Sequence, residues 1–429
     1  MSSWLLLALL AAPPDASGIQ WIHDDWAAAE KRAKAEKKGI AVDVWATWCH
    51  TCLSMKSTIL TQAPLAAVKD QLVWLALDYD LPKNAAFFDR YPVGAFPTFM
   101  VIDGASGAVN GRWMGSGTPA EMAAFFGASA KGGVKALEAS QRALAKQDYA
   151  EALKLSEQAL QAPGLDAATQ TRLLLGWLEA LSHINPKECA TQGAGRIRSV
   201  DRSAQGIDFV AVVADCANEL APAEKKTVLT QVRDQLAAVL ADPKLEVSAD
   251  DRSGAYATLT DAQEALGDGA GANASRVARL AVLEAAAKAA KSPVERSAYD
   301  DHRNQLYQAL GRYADAEAML MASEKDLPKD FNPPWRLANV YLKQKKLEPG
   351  LLAIDRALAR GYGGRKLRLY TTKIDLLLEA KRIKEAEATL AAARAELKTL
   401  PASVVRPYWV EELEGRAKKL EAESATPKG

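Results

Sequence analysis

Cys49 and Cys52 stand three residues apart in the run Trp48-Cys-His-Thr-Cys52. Two thiols at that spacing serve thiol–disulfide exchange, half of a zinc site, or attachment of a c-type haem. Haem attachment needs His directly after the second cysteine, and Leu53 is there. A structural zinc site needs four ligands. The other two cysteines, Cys189 and Cys216, are far along the chain, and His23 and His50 are the only imidazoles near the pair. No metal is therefore expected. Exchange chemistry needs a thiolate. The pair follows an apolar run, 40–45, and opens a helix, whose unsatisfied N–H groups and dipole favour an anion. Cys49 is expected to have a lowered pKa and to attack; Cys52, one turn on, is expected to resolve the mixed disulfide. The three-residue step puts both sulfurs on one helical face, within bonding reach. The chemistry needs no cofactor beyond the redox-active Cys49–Cys52 disulfide itself.

The pattern of residues 19–130 reads β-α-β-α-β-α-β-β-α. Asp24 and Asp25 precede a Lys-rich helical run over 26–38, which Gly39 is placed to stop. Strands are expected over 40–45, 72–77, 98–102 and 108–113, and helices over 52–60 and 82–90. A helix over 118–126 opens with Thr118, Pro119 and Glu121, the arrangement of a capping box. Lys131-Gly-Gly133 reads as a hinge. Beyond it Ala, Leu, Lys, Glu, Gln and Arg dominate with helical periodicity, and part of this repeats. Tyr313, Leu347 and Ile383 open similar segments 34 and 36 residues apart, and Tyr149 opens another. Between 181 and 290 the phase is poor, and 248–252 and 267–273 look like loops.

The segment Val42-Asp-Val-Trp-Ala-Thr-Trp-Cys-His-Thr-Cys52 resembles the active-site segment of the thioredoxin family, and Phe96-Pro-Thr-Phe99 its cis-proline segment. The resemblance covers about 110 residues. It is strongest to the thioredoxin-like domains of exported thiol:disulfide interchange proteins, which share the long Lys-rich first helix. It implies a central mixed sheet flanked by helices, with Pro97 cis beside the dithiol and Phe96 presenting its backbone to a substrate strand. It also implies that Asp43 is a buried carboxylate beneath the site and a candidate proton acceptor for Cys52. Trp45 should pack in the core, Trp48 should cover Cys49, and Trp48, His50, Thr51 and Phe96 should meet substrate. The buried Lys that partners the family's carboxylate aligns with Ala76, which leaves Asp43 without that partner. His50 either stabilises the Cys49 thiolate as an imidazolium or points to solvent.

The helical part resembles tetratricopeptide repeats. The match is best over Arg303-Asn304, Tyr307, Gly311, Tyr313, Ala316, Leu320 and Pro328, and again over Leu337-Ala338, Tyr341, Leu347, Ile354 and Ala357. Small residues there let paired helices approach, while Tyr307, Tyr341 and Leu320 fill the seam. The expected domains are a signal peptide over 1–18, a thioredoxin-like domain over 19–130, an all-α tetratricopeptide-like array over 131–424 and a disordered tail over 425–429. Cys189 and Cys216 are either a structural disulfide or two buried thiols.

The balance of 54 Lys+Arg against 53 Asp+Glu gives no general attraction to nucleic acid. The apolar run 4–12 is too short to span a bilayer and suits a signal peptide; later stretches are no longer, so no membrane span is expected. The expectation is thus an exported, periplasmic-type oxidoreductase acting on protein thiols and disulfides, with an unidentified redox partner and a protein partner on the repeats. Two other readings stay open: a repeat scaffold with a thioredoxin-like adaptor, and a cytosolic redox sensor with an uncleaved N-terminus.

Overall fold

The computed structural model describes residues 15–133 and 135–425. Most of the expected signal peptide and nearly all of the expected tail lie outside the described residues. The chain first builds β1 (Trp21–His23), α1 (Trp26–Glu36), β2 (Gly39–Trp45), α2 (His50–Ser54), β3 (Leu72–Asp78), α3 (Ala85–Arg90), β4 (Thr98–Ile102), β5 (Val109–Met114) and α4 (Pro119–Ala130). The sheet order is β1-β3-β2-β4-β5, with β1, β3 and β2 parallel and β4 and β5 antiparallel. This is the mixed sheet of a thioredoxin fold. Asp25 caps α1 and the Thr118–Glu121 capping box opens α4, as the sequence pattern predicts.

Alternation along the strands gives the sheet two apolar faces. One packs Ala41, Trp74, Phe99 and Val101 against Phe125 and Phe126 of α4 and Met55 beyond α2. The other, with Val42, Val44, Leu75 and Met100, is continuous with a core that runs through Phe331, Trp335 and Trp409 of the helical part. The two parts of the chain thus share buried apolar surface.

The expected repeats are present as helix pairs. Tyr149–Leu160, Tyr313–Asp326, Leu347–Arg360 and Ile383–Leu397 each begin at the residue picked out by the sequence period. Two residues earlier, Gln147, Gly311, Lys345 and Lys381 each adopt positive φ, the left-handed position that ends the preceding helix and turns the chain into its partner. Gly267, at φ +79, does the same before Gly269–Ala289. So 267–273, expected as a loop, is one tight turn and the start of a helix. Residues 248–252 are also not a loop: Ser248 and Asp251 form a capping box for Ala249–Ala265. Polar capping residues imitate loop composition, which explains both errors. Ala316, Ala338, Leu320 and Tyr307 are buried between helices, whereas Tyr341 is half-buried.

The expected hinge is a pinned turn. A Cβ on Gly133 would meet the Asn110 carbonyl oxygen at 1.9 Å. Just beyond it, Glu138 accepts from the Arg112 N–H of β5 at 3.2 Å. Arg172 adds a hydrogen bond to the Arg112 carbonyl at 3.0 Å and stacks 4.3 Å from the Trp113 ring centroid. Cys189 and Cys216 are disulfide-bonded, joining Pro186–Arg196 to Ala204–Cys216. Replacing both by Ser is expected to destabilise the array by about 2–4 kcal/mol. Thermal unfolding under non-reducing conditions, comparing the double variant with the parent, measures this; equal midpoints refute a stapling role.

Candidate functional site

Parallel β2 ends at Trp45, and the chain turns over residues 46–49 into α2. Cys49 is the N-cap: its sulfur accepts from the Cys52 N–H at 3.1 Å. The helix therefore starts at His50 and not at Cys52, the start of the expected helix. That places the Cys49 sulfur at the positive end of the first turn. Beyond Ser54 the helix widens to i→i+5 bonding over Met55–Ile59. Cys49 and Cys52 are bonded to each other; Cys49 is 6% exposed and Cys52 fully buried. The Phe96–Pro97 peptide bond is cis. Trp48 and Phe96 meet edge to face at 5.4 Å, and both pack with Trp45 around the cysteine pair.

Asp43 pairs in register with Ala76, and neither of its carboxylate oxygens accepts a hydrogen bond. Burial raises its pKa to about 6, and Lys56 opposes the rise. Lys56, on the wide turn after α2, thus faces the carboxylate that Ala76 cannot pair. Its ammonium also lies 3.5 Å from the Trp45 ring centroid. Trp45 is only half-buried, contrary to the expected core position. The cation covers one face, and a cleft along the ring leaves it partly open.

The helical array surrounds the dithiol. Trp48 donates its indole N–H to Asp80 at 2.6 Å, and the Arg365 guanidinium stacks on the Trp48 ring at 4.3 Å. Tyr362 donates to Asp78 at 2.6 Å, Asn332 to Thr47 at 3.3 Å, and Tyr79 to the Ser403 carbonyl at 2.7 Å. Arg406 lies over Phe96 at 5.1 Å. Asp250 receives His50 Nδ1 on both oxygens, at 2.8 and 3.0 Å, and the Thr51 hydroxyl at 2.7 Å. His302 packs its ring 4.0 Å from that of His50. The imidazole nitrogens of His50 and His302 and the Asp250 carboxylate lie within 4.8 Å of one another, close enough in principle for a cation. His50 Nδ1 and the Asp250 carboxylate stand at ion-pair distance, 2.8 Å. Between the units a cleft of about 420 Å³ opens beside the dithiol, lined by Trp45, Thr47 and Leu53 on one side and Phe331 and Tyr362 on the other.

His50 Nδ1 and the Thr51 hydroxyl therefore meet Asp250, although the His50 side chain stays 33% exposed, and Trp48 and Phe96 are half-buried. On the thioredoxin-like side, sequence reasoning missed Lys56, Asp78, Tyr79 and Asp80 and gave no site role to Thr47 or Leu53. It reached none on the array side: Asp250, His302, Asn332, Tyr362, Arg365 and Arg406 carry no motif. The Asp78-Tyr-Asp80 run at the end of a buried strand was the one available signal.

A dithiol at the start of the helix after β2, opposite a cis proline, defines the N-terminal unit as thioredoxin-like. Residues 21–104 match the family model described as thioredoxin-like. Thioredoxin-1 of Drosophila melanogaster is 34% identical over 68 residues, 16% of this chain and 60% of that protein. The chain thus spans under two thirds of the curated relative it matches. The helical part is similar to solved repeat structures. A tetratricopeptide repeat protein from Parabacteroides merdae matches 66% of this chain and 98% of its own at 14% identity, with TM-score 0.41. A chaperone of RpL4 assembly, Acl4, matches 68% and 99% at 16% identity, with TM-score 0.32. Residues 21–104, with the Cys49–Cys52 pair, thus match a thioredoxin-like model, and an array of helix pairs follows them.

Asp80 is buried beside Asp78, and burial first and that neighbour second raise its pKa to about 7. A carboxyl raised in the folded state stabilises it fully below the ordinary value of 3.8 and loses that contribution as pH rises through about 7. Asp80→Asn removes this loss, so the variant's melting temperature relative to the parent should climb between pH 4 and pH 8. A difference that stays flat across that range refutes the assignment.

Proposed function

We propose that this protein is an exported thiol:disulfide oxidoreductase that exchanges disulfides with protein substrates through Cys49 and Cys52. One observation carries the reading: Cys49 caps α2 with its sulfur on the Cys52 N–H, where a helix terminus stabilises a thiolate. In the reducing direction the Cys49 thiolate attacks one sulfur of a substrate disulfide. The substrate S–S bond breaks, a Cys49–substrate bond forms, and the released substrate thiolate takes up a proton. Cys52 then gives its proton toward Asp43 and attacks the Cys49 sulfur. The Cys49–Cys52 bond forms, the second substrate thiolate leaves, and two electrons have passed to substrate. The reverse exchange with a dithiol protein restores the reduced pair. No further cofactor takes part.

Phe96 and Trp48 pack against the cysteine pair, and the cis Pro97 follows Phe96 directly. The cleft beside Trp45 and Leu53 suits an extended apolar segment bearing the disulfide. The repeats give the protein a second surface for a partner or client protein. The apolar run 4–12 supports export.

A second reading has its own support. The array covers Trp48 and Phe96, where a substrate strand is expected, as it would if the thioredoxin-like unit were an adaptor in a repeat scaffold. Two variants separate the readings. Cys49→Ser should abolish reduction of insulin by the reduced protein, and Cys52→Ala should accumulate mixed disulfides through Cys49. A parent protein that neither exchanges disulfides nor alkylates at Cys49 after reduction leaves only the adaptor. For export, the N-terminal residue of the mature protein decides; an intact Met1 refutes it.

A further inference from the structure

Both residues between the cysteines are held by one side chain from the distant helical array. The Asp250 carboxylate takes His50 Nδ1 on both oxygens and the Thr51 hydroxyl on one. It sits in the first turn of Ala249–Ala265, itself fixed by the Ser248–Asp251 capping box. Asp251 in turn accepts from Ser116, just past β5, so this corner of the array is tied to the thioredoxin-like unit twice. Asp250 is 3% exposed, and an ionised carboxylate so placed persists only against a partner of opposite charge.

We propose that Asp250 is a positioning residue of the dithiol, acting on Cys49 through His50, so that the redox site is completed by the helical array. The inference rests on the exchange activity proposed above. The groups that face His50 come from several helices. Asp250 and Asp301 favour its charge, and Arg336 opposes it. His302 stacks on it, and Arg279 lies beyond, donating to Ser253. Burial is the largest single influence and would discharge His50, yet the charge and hydrogen bond of Asp250, together with Asp301, raise its pKa above the ordinary 6.5. Asp250 correspondingly ionises more readily despite its burial. His302, also buried and beside a charged His50, is held neutral, its pKa lowered to about 3. Of the two imidazoles, His50 is the one whose charge Asp250 favours, and it directly follows Cys49.

Removal of the carboxylate leaves burial to dominate, so His50 should discharge below pH 6.5 in place of above it. The alkylation rate of Cys49 in the reduced full-length protein, followed against pH, reads this step. In the parent the profile should show a His50 inflection above 6.5. In Asp250→Asn, which keeps the shape and an acceptor oxygen, the inflection should move below 6.5. His50→Gln retains an N–H for Asp250 and should remove the inflection altogether, and adding Asp250→Asn to it should change nothing further. Compactness of each variant by small-angle scattering checks that the array remains docked. An Asp250→Asn profile that matches the parent overturns the proposal, as does an equal shift in the His50→Gln background, which would mean that the carboxylate acts without His50. Alkylation does not depend on turnover, so loss of insulin reduction in the parent would count against the proposed activity and leave this test standing.

Discussion

The buried guanidinium of Arg365 fixes how the two parts of the chain meet. It is 8% exposed and lies 4.3, 4.9 and 5.8 Å from the ring centroids of Trp48, Trp335 and Trp409. One of those rings belongs to the redox motif and two to the array. Arginine suits this role because its flat, weakly hydrated cation can stack on aromatic faces where an ammonium would demand water. Desolvation of the charge is offset by the rings and by Asp80, which also holds Trp48 through its indole N–H. The approach is close enough to require glycine two residues before the arginine: at Gly363, φ +59, a Cβ would fall 1.7 Å from the Asp80 carbonyl oxygen. Backbone, cation and carboxylate therefore register the array on the dithiol as one unit.

That registration explains which parts of the protein were legible in the sequence. The strand–Cys-x-x-Cys–helix order, the cis proline and the capping box are short-range patterns, and each residue's role is set by neighbours within a turn or two. The repeat period was visible where Gly311, Tyr313 and Leu347 kept their phase. It was lost between 181 and 290, where Ser248 and Gly267 used polar and glycine turns that resemble loop. Lys56 escaped because it supplies from the helix a charge expected on the neighbouring strand, at Ala76. The array-side contacts were beyond reach. Asp250 meets His50 across 200 residues, and Tyr362 meets Asp78 across 284. Nothing local distinguishes an aspartate in the first turn of a helix from one that also reaches the Cys-x-x-Cys segment.

The same contacts pose an energetic question for catalysis. An exchange enzyme must bring a substrate sulfur in line with the Cys49 sulfur, and Cys49 is 6% exposed. Apolar continuity between the sheet and the Phe331–Trp335 region resists wholesale separation of the units. The contacts nearest the sulfur are different in kind. Around Thr47, His50 and Thr51 they are hydrogen bonds to Asn332 and Asp250, which water can replace at a net cost of only about 0.5–1.5 kcal/mol each, more where a charge takes part. The cleft lined by Thr47 and Leu53 adjoins this polar edge. On the exchange activity proposed above, a substrate strand can take the place of the Asn332–Thr47 bond at the cleft edge while the Asp250 contacts, the apolar core and the Arg365 stack stay in place.

Charge at the seam runs in two directions with pH. Burial raises Asp78 to about 6, and Asp251 likewise to about 6. Each raised carboxyl favours the docked state when protonated and withdraws that favour as pH rises through its folded value. The His50–Asp250 pair divides. Its carboxylate, lowered on docking, contributes above the ordinary 3.8, and its imidazolium, raised on docking, contributes below its elevated value. The pair is therefore strongest in the mildly acidic range, where the Asp78 and Asp251 carboxyls also keep their protons. As pH rises, Asp78 and Asp251 have withdrawn their contributions by about 6, and the imidazolium's lasts until its own elevated value is passed. The polar edge thus loosens in two stages, and the stacked guanidinium and shared apolar core keep that loosening local.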